Sequence, residues 1–225
     1  MFDENYFRSR AVRKISKSSK FHFVGTLTFI RRDGKSQEVG FGSLLEHDAA
    51  MCCIYRPDFL DLEEQLDKIM VRKTGTVATP YWFDYRLTLL SGKRIALSVK
   101  YAKKASTLEY QRTMEAVRAV AVSEIADQVN TISERNISPT LLANCKVFHA
   151  ARFPDEVLDD RVKEALTQLD RPMAIHEALE QAGIGPEGFW SAVRAIRWGD
   201  VEVISHGIID EHAVIRPLNA IVEAA

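Results

Sequence analysis

Glu46, Asp84 and Lys100 are the side chains whose types and spacing can do chemistry together. Asp84 lies in YWFDYRLTLL (81–90) and Lys100 ends KRIALSVK (93–100). Both stretches alternate apolar and polar residues, and Ser91-Gly92 between them is a turn signal, so a hairpin is expected. Folded there, the arms set Asp84 beside Lys100 across the ladder. Glu46, on a helix expected to open at Gly42-Ser43, presents a second carboxylate to the same edge. Two carboxylates with a lysine suit metal-assisted phosphodiester hydrolysis. Hard oxygen ligands hold Mg²⁺ against a phosphate, and the ion acidifies a bound water. An ammonium orients that water and stabilises the charge that builds on phosphorus oxygens. Asp84 is the most informative of the three. Among Tyr81, Trp82, Phe83, Tyr85 and Leu87 an aspartate is disfavoured in a strand and costly to bury without a partner. Taken singly, a helix glutamate faces solvent by default, and a strand-end lysine ordinarily blunts an edge.

The elements that must position these residues read as a mixed α/β core. Phe21 to Arg31, the Asp33-Gly34 turn and Gln37 to Gly42 form a first hairpin. A mostly buried helix runs from Gly42-Ser43 to Pro57, and a strand from Leu60 to Val71. The central hairpin follows, then an amphipathic helix over 108–125, a strand over 128–132 and a helix over 133–151. Composition turns acidic at Phe153-Pro154-Asp155, which marks a domain boundary. Beyond it lie three helical stretches (156–169, 174–182, 187–198) and a hairpin over 201–216, a winged-helix pattern. The expected parts are a basic arm over 1–20, an α/β domain over 21–152 and a winged-helix domain over 153–225.

Charge separates the two halves. Residues 1–150 hold 23 Lys and Arg against 17 Asp and Glu, whereas residues 151–225 hold 7 against 14. The first part suits a polyanion and the second does not. Lys93, Arg94, Lys100, Lys103 and Lys104, with no acid between residues 91 and 104, would meet a DNA backbone. No apolar run approaches the roughly 18–20 residues of a membrane span, and MFDENYFRSR lacks a signal peptide's apolar stretch. Three cysteines (Cys52, Cys53, Cys145) without metal spacing point to a reducing compartment. Six histidines show no ligand spacing, and His47 beside Glu46 reads as packing or surface. Neither GxxxxGK[ST] nor GxGxxG occurs, and no serine sits in a nucleophile elbow.

The stretch GFGSLLEHDAAMCCIYRPDFLDLEEQL (40–66), followed by FDYRLTLLSGKRIALSVK (83–100), resembles the TnsA family of transposon endonucleases, which have the PD-(D/E)XK fold of restriction enzymes. Ser43-Leu44-Leu45-Glu46 matches the family's Ser-x-x-Glu helix and Glu63-Glu64-Gln65 its acidic-acidic-Gln strand. Asp84 with Ser98-Val99-Lys100 matches its Asp and x-Val-Lys. ISERNISPTLLANCKVF (132–148) is similar to the segment behind the family's lysine. The resemblance implies Mg²⁺-dependent DNA cleavage, with Mn²⁺ as substitute. Glu46, Asp84 and the Val99 carbonyl would hold the metal, Lys100 would position water, and Gln65 would support the site. It also implies a bacterial cytoplasmic setting, duplex DNA as substrate, and a transposase subunit and an AAA+ ATPase regulator as partners. Two positions depart from the pattern. Phe83 stands where proline is usual, and Ser98 where most PD-(D/E)XK nucleases place an acid. Serine would reach a metal only through water, so Ser98→Glu or Ser98→Gln is expected to tighten Mg²⁺ binding. Two alternatives stay open: a catalytically dead module for DNA binding or assembly, and a repair or defence nuclease on the same fold.

Overall fold

The computed structural model describes residues 6–12, 23–72, 75 and 77–218. The chain is mixed α/β and divides into two units, residues 1–138 and 139–225. The expected boundary near 152 is thus displaced, because the helix beginning at Pro139 belongs with the second unit.

In the first unit β1 (Tyr6–Phe7) pairs in parallel with β3 (Ser36–Phe41), which pairs antiparallel with β2 (Gly25–Ile30). Helix α1 (Leu44–Ile54) follows, with Ser43 as its N-cap. Then come β4 (Phe59–Glu64), a short ladder of β5 (Ile69–Val71) with β6 (Thr79–Tyr81), and the hairpin β7 (Tyr85–Leu89) and β8 (Arg94–Val99). Gly92, at φ 82°, supplies the left-handed turn of that hairpin. Helices α2 (Ala102–Ala105) and α3 (Leu108–Glu124) carry the chain to β9 (Gln128–Ile132). The four-stranded sheet has the order β4-β7-β8-β9, antiparallel except for the parallel pair β8-β9. A parallel pair needs a long crossover, and α2 with α3 provides it. Tyr110, Met114, Val117 and Ala121 recur at helical spacing on α3 and pack with Phe83, Ala96 and Val129.

Two first-unit expectations change. The strand expected over 60–71 breaks at Gln65, whose φ of 45° is the only positive value on a non-glycine among the described residues. The strand expected from Tyr81 to Leu90 is interrupted, since residues 79–81 pair with β5 rather than continue into β7. Part of the expected basic arm also meets the sheet over 6–12, where most of its residues stay exposed. Arg10 reaches Asp61 (2.7 Å) and the Leu62 carbonyl (3.0 Å), and the Val12 N–H donates to the Gln65 carbonyl (3.1 Å). Opposite charge on β4 draws this segment onto the sheet. The rest of the arm lies outside the described residues.

The second unit comprises α4 (Pro139–Ala150), α5 (Glu156–Thr167), β10 (Met173–Ala174), α6 (Ile175–Gln181), α7 (Phe189–Trp198), β11 (Val201–Val203) and β12 (Val214–Pro217). The helix expected over 133–151 therefore begins at Pro139, where a missing N–H costs nothing; a 3₁₀ turn precedes it. The strands form a small antiparallel sheet, β10-β12-β11. Val162, Leu166, Ile175, Leu179, Val193 and Ile215 give this unit a core of its own. Among the described residues no helix is long and apolar enough to cross a membrane.

Candidate active site

Asp84 lies in the break between β6 and β7, outside the regular ladder. Its backbone is fixed on both sides: the Asp84 N–H donates to Leu97 O (3.0 Å), and the Gln65 N–H donates to Asp84 O (2.8 Å). The carboxylate turns to the end of β8. There Oδ2 accepts the Val99 N–H (2.7 Å) and the Lys100 ammonium (3.3 Å). The same ammonium donates to Val99 O (2.8 Å). Two oxygens expected to ligate a metal thus already share one cation. The compensation that an aspartate among aromatic residues requires is in place. Side-chain exposures of 15% for Asp84 and 35% for Lys100 leave the pair reachable from solvent.

Neighbouring elements hold this corner. The Lys100 N–H donates to Ile132 O (2.9 Å), extending the β8-β9 pairing by one residue. Glu134 Oε2 accepts the Ala102 N–H (2.8 Å), satisfying an otherwise unpaired donor at the start of α2. Gln65 serves through its backbone, bridging the Val12 N–H and Asp84 O, and its left-handed conformation ends β4 at that point.

Glu46 has a local occupation. Its Oε2 accepts the Gly42 N–H (2.8 Å), and its Oε1 accepts the Ser43 hydroxyl (3.0 Å). Ser43 Oγ in turn accepts the Glu46 N–H (3.2 Å). Ser-x-x-Glu is a helix-capping signature as well as a family motif, and here it caps. A carboxylate has about four acceptor sites, so two bonds leave capacity for a cation.

Tyr85, the residue after Asp84, was not singled out from the sequence. It is fully buried, and its hydroxyl donates toward Gly40 O (3.2 Å) and Glu46 O (3.3 Å). Burial, followed by the negative charges of Glu46 and Asp84, pushes its phenol well above the ordinary value, so it stays a donor. Its place next to Asp84 in an alternating stretch was the available signal.

Ser98 is fully buried, and its hydroxyl accepts from Tyr81 (2.8 Å), whose oxygen also lies 3.3 Å from Met114 Sδ on α3. By strand alternation it shares the face of Ala96, which packs in the α3 core. The hydroxyl is occupied within that core. Of the expected DNA-contact residues, Lys93, Arg94, Lys103 and Lys104 are all exposed. Arg94 lies 3.9 Å from Asp127, an acid outside the 91–104 window.

Asp84, Glu46 and the Val99 carbonyl offer oxygen alone, which suits a hard divalent cation. Among the described residues no three His, Cys, Asp or Glu side chains gather as a metal-ligand group. No protein-family model matches the chain, and no curated protein matches it significantly.

Proposed function

We propose that the chain is a Mg²⁺-dependent DNA endonuclease, the TnsA-like end-cleaving subunit of a heteromeric transposase. The observation that carries this reading is the cluster of Asp84, the Val99 backbone and Lys100 at one solvent-reachable corner. The order α1, β4, β7, β8, α3, β9, with its one parallel pair, agrees with a restriction-endonuclease-like core. Helices α5, α6 and α7 with the small sheet of the second unit agree with a winged helix. When bound, Mg²⁺ would neutralise phosphate charge and acidify a water. Asp84, the Val99 carbonyl and Glu46 would hold it. Lys100 keeps an ammonium within reach of the same oxygens and would align the attacking water and stabilise the developing negative charge. Lys103 and Lys104, on the short helix just after Lys100, would contact the backbone of the duplex.

The second unit favours a protein partner, and by resemblance the AAA+ ATPase regulator. On α7, Arg194 is spent internally: it donates to Asp159 (2.6–2.9 Å), to Ala151 O (3.0 Å) and to Ser191 Oγ (3.0 Å). Arg197 lies 4.3 Å over the Trp198 ring. A helix so arranged offers little to phosphates, while Trp190 is 46% exposed.

The test is cleavage of duplex DNA in Mg²⁺ and Mn²⁺ by the purified chain, together with any transposase subunit encoded alongside it. Metal-dependent cutting that Asp84→Asn and Lys100→Ala abolish supports the reading. Cutting that survives both substitutions overturns it. The capping of Glu46 and the occupied Ser98 hydroxyl favour a second reading, a nuclease fold kept as a DNA-binding or assembly module. Salt-sensitive DNA binding without any cleavage would select that one.

A further inference from the structure

We infer that Tyr85 is a positioning residue of this site, acting through Glu46; the inference rests on the metal-dependent reading above. Asp84 and Glu46 belong to different layers. Asp84 is held by the sheet through Leu97, Val99 and Gln65, whereas Glu46 rides on the first turn of α1. Among the described bonds, the Tyr85 hydroxyl makes the direct link between the two layers beside Asp84. It reaches Glu46 O at 3.3 Å and Gly40 O, at the end of β3, at 3.2 Å. Its single proton is shared between the strand that enters the α1 turn and the helix that leaves it. The backbone of Glu46 is therefore tied to the residue that follows Asp84.

Packing alone does not require this hydroxyl. The ring is fully buried, and phenylalanine would fill the same space without a polar atom to satisfy. The Glu46 carbonyl has its backbone partner inside α1, so it does not need the phenol either. What the hydroxyl adds is a fixed spacing between two carboxylates carried by separate elements. A metal that takes a ligand from each depends on that spacing, and partners behind metal ligands typically tune affinity about 10–100-fold.

The experiment is a calorimetric titration of the full chain with Mn²⁺. It compares wild type, Tyr85→Phe, Glu46→Gln, the double variant and Tyr81→Phe. The expected result is binding by wild type and about tenfold weaker binding by Tyr85→Phe. In the Glu46→Gln background the Tyr85 exchange should add nothing, because the residue acts through that carboxylate. Tyr81→Phe also loses a buried hydroxyl bond, but on the α3 side. It should lower the melting temperature and leave Mn²⁺ affinity within twofold of wild type. Equal affinity of wild type and Tyr85→Phe overturns the inference, as do additive effects in the double variant or equal losses in the two tyrosine variants. A Tyr85→Phe chain that fails to fold while Tyr81→Phe folds assigns the hydroxyl to stability alone and overturns it too. If wild type takes up no Mn²⁺, the metal-dependent reading itself falls, and this inference with it.

Discussion

Asp84 accepts both a backbone N–H and the Lys100 ammonium through one oxygen, so its charge and its geometry are separable. Asp84→Asn keeps an acceptor for the Val99 N–H and removes the charge. DNA cleavage should fall on the order of 10²–10⁴-fold while the melting temperature moves little, checked by a nicking assay beside a thermal melt. A loss of activity that tracks unfolding would return Asp84 to a structural role. Ser98 carries the opposite expectation from the one its sequence position suggests. Its hydroxyl is fully buried and bonded to Tyr81, so a carboxylate there enters an apolar core without a counter-charge. Ser98→Glu should destabilise the chain by about 2–4 kcal/mol in urea unfolding, and Mn²⁺ affinity should not rise. Tighter Mn²⁺ binding would mean that residue 98 faces the metal after all.

At the scale of the element, α1 shows one carboxylate with two possible duties. Glutamine at residue 46 still accepts the Gly42 N–H, so the cap survives while the charge is lost. Glu46→Gln should therefore change stability by less than about 0.5 kcal/mol yet strongly reduce Mn²⁺-dependent cleavage. Unchanged cleavage would leave Glu46 as a cap and nothing more. Helices α5 and α7 are joined by a similar economy of charge. Burial pushes the Asp159 carboxyl up, but hydrogen bonds from Arg194 and Ser191 and the Arg194 charge outweigh it, so the group lies below its ordinary value. A depressed carboxylate contributes stability that is present above the unfolded value of about 3.9 and is lost as pH falls through the folded one. The melting temperature of the second unit should hold from pH 7 to about 5 and drop below about 4. Asp159→Ala strands a nearly buried guanidinium and should cost roughly 3 kcal/mol at pH 7 in urea unfolding. A variant as stable as wild type would show that Arg194 finds another counter-charge.

On the scale of the whole molecule, charge and architecture divide the work. The candidate active site and the exposed Lys93, Arg94, Lys103 and Lys104 lie in the first unit. The second unit has its own core and a strongly acidic balance. Residues 139–225 expressed alone should melt cooperatively and show no binding to mixed-sequence duplex DNA at low salt, where electrostatic attraction is strongest. Micromolar binding that weakens steeply with salt would move the DNA contact into this unit. The division at 138/139 sets that fragment's start: α4 carries Cys145 and Val147, and Val147 packs on the second unit's core.

Local pattern determined the β7-β8 hairpin, α3, β9 and α7 from sequence. In each, an apolar pattern of strand or helix type runs through the element, and a glycine turn or a cap marks an end. The nearness of Asp84 to Lys100 was legible in part, because the Gly92 turn brings the ends of the two arms together. The register ends at Tyr85 opposite Leu97, and the Asp84 carboxylate then turns to the Val99 N–H and the Lys100 ammonium. Other features depended on partners far away in the chain. Gln65 ends β4 in a left-handed conformation because it bridges Val12 and Asp84, and no pattern around residue 65 announces that. Tyr6 and Phe7 become a strand because β3 offers them an open edge. Arg194 reads as a surface cation until Asp159, 35 residues earlier, is brought against it. The direction of Ser98 and the reach of Tyr85 were likewise left to the tertiary structure. A strand's alternation tells which residues share a face. Which helix covers that face, and which hydroxyl meets which carbonyl there, is fixed only when the layers close on each other.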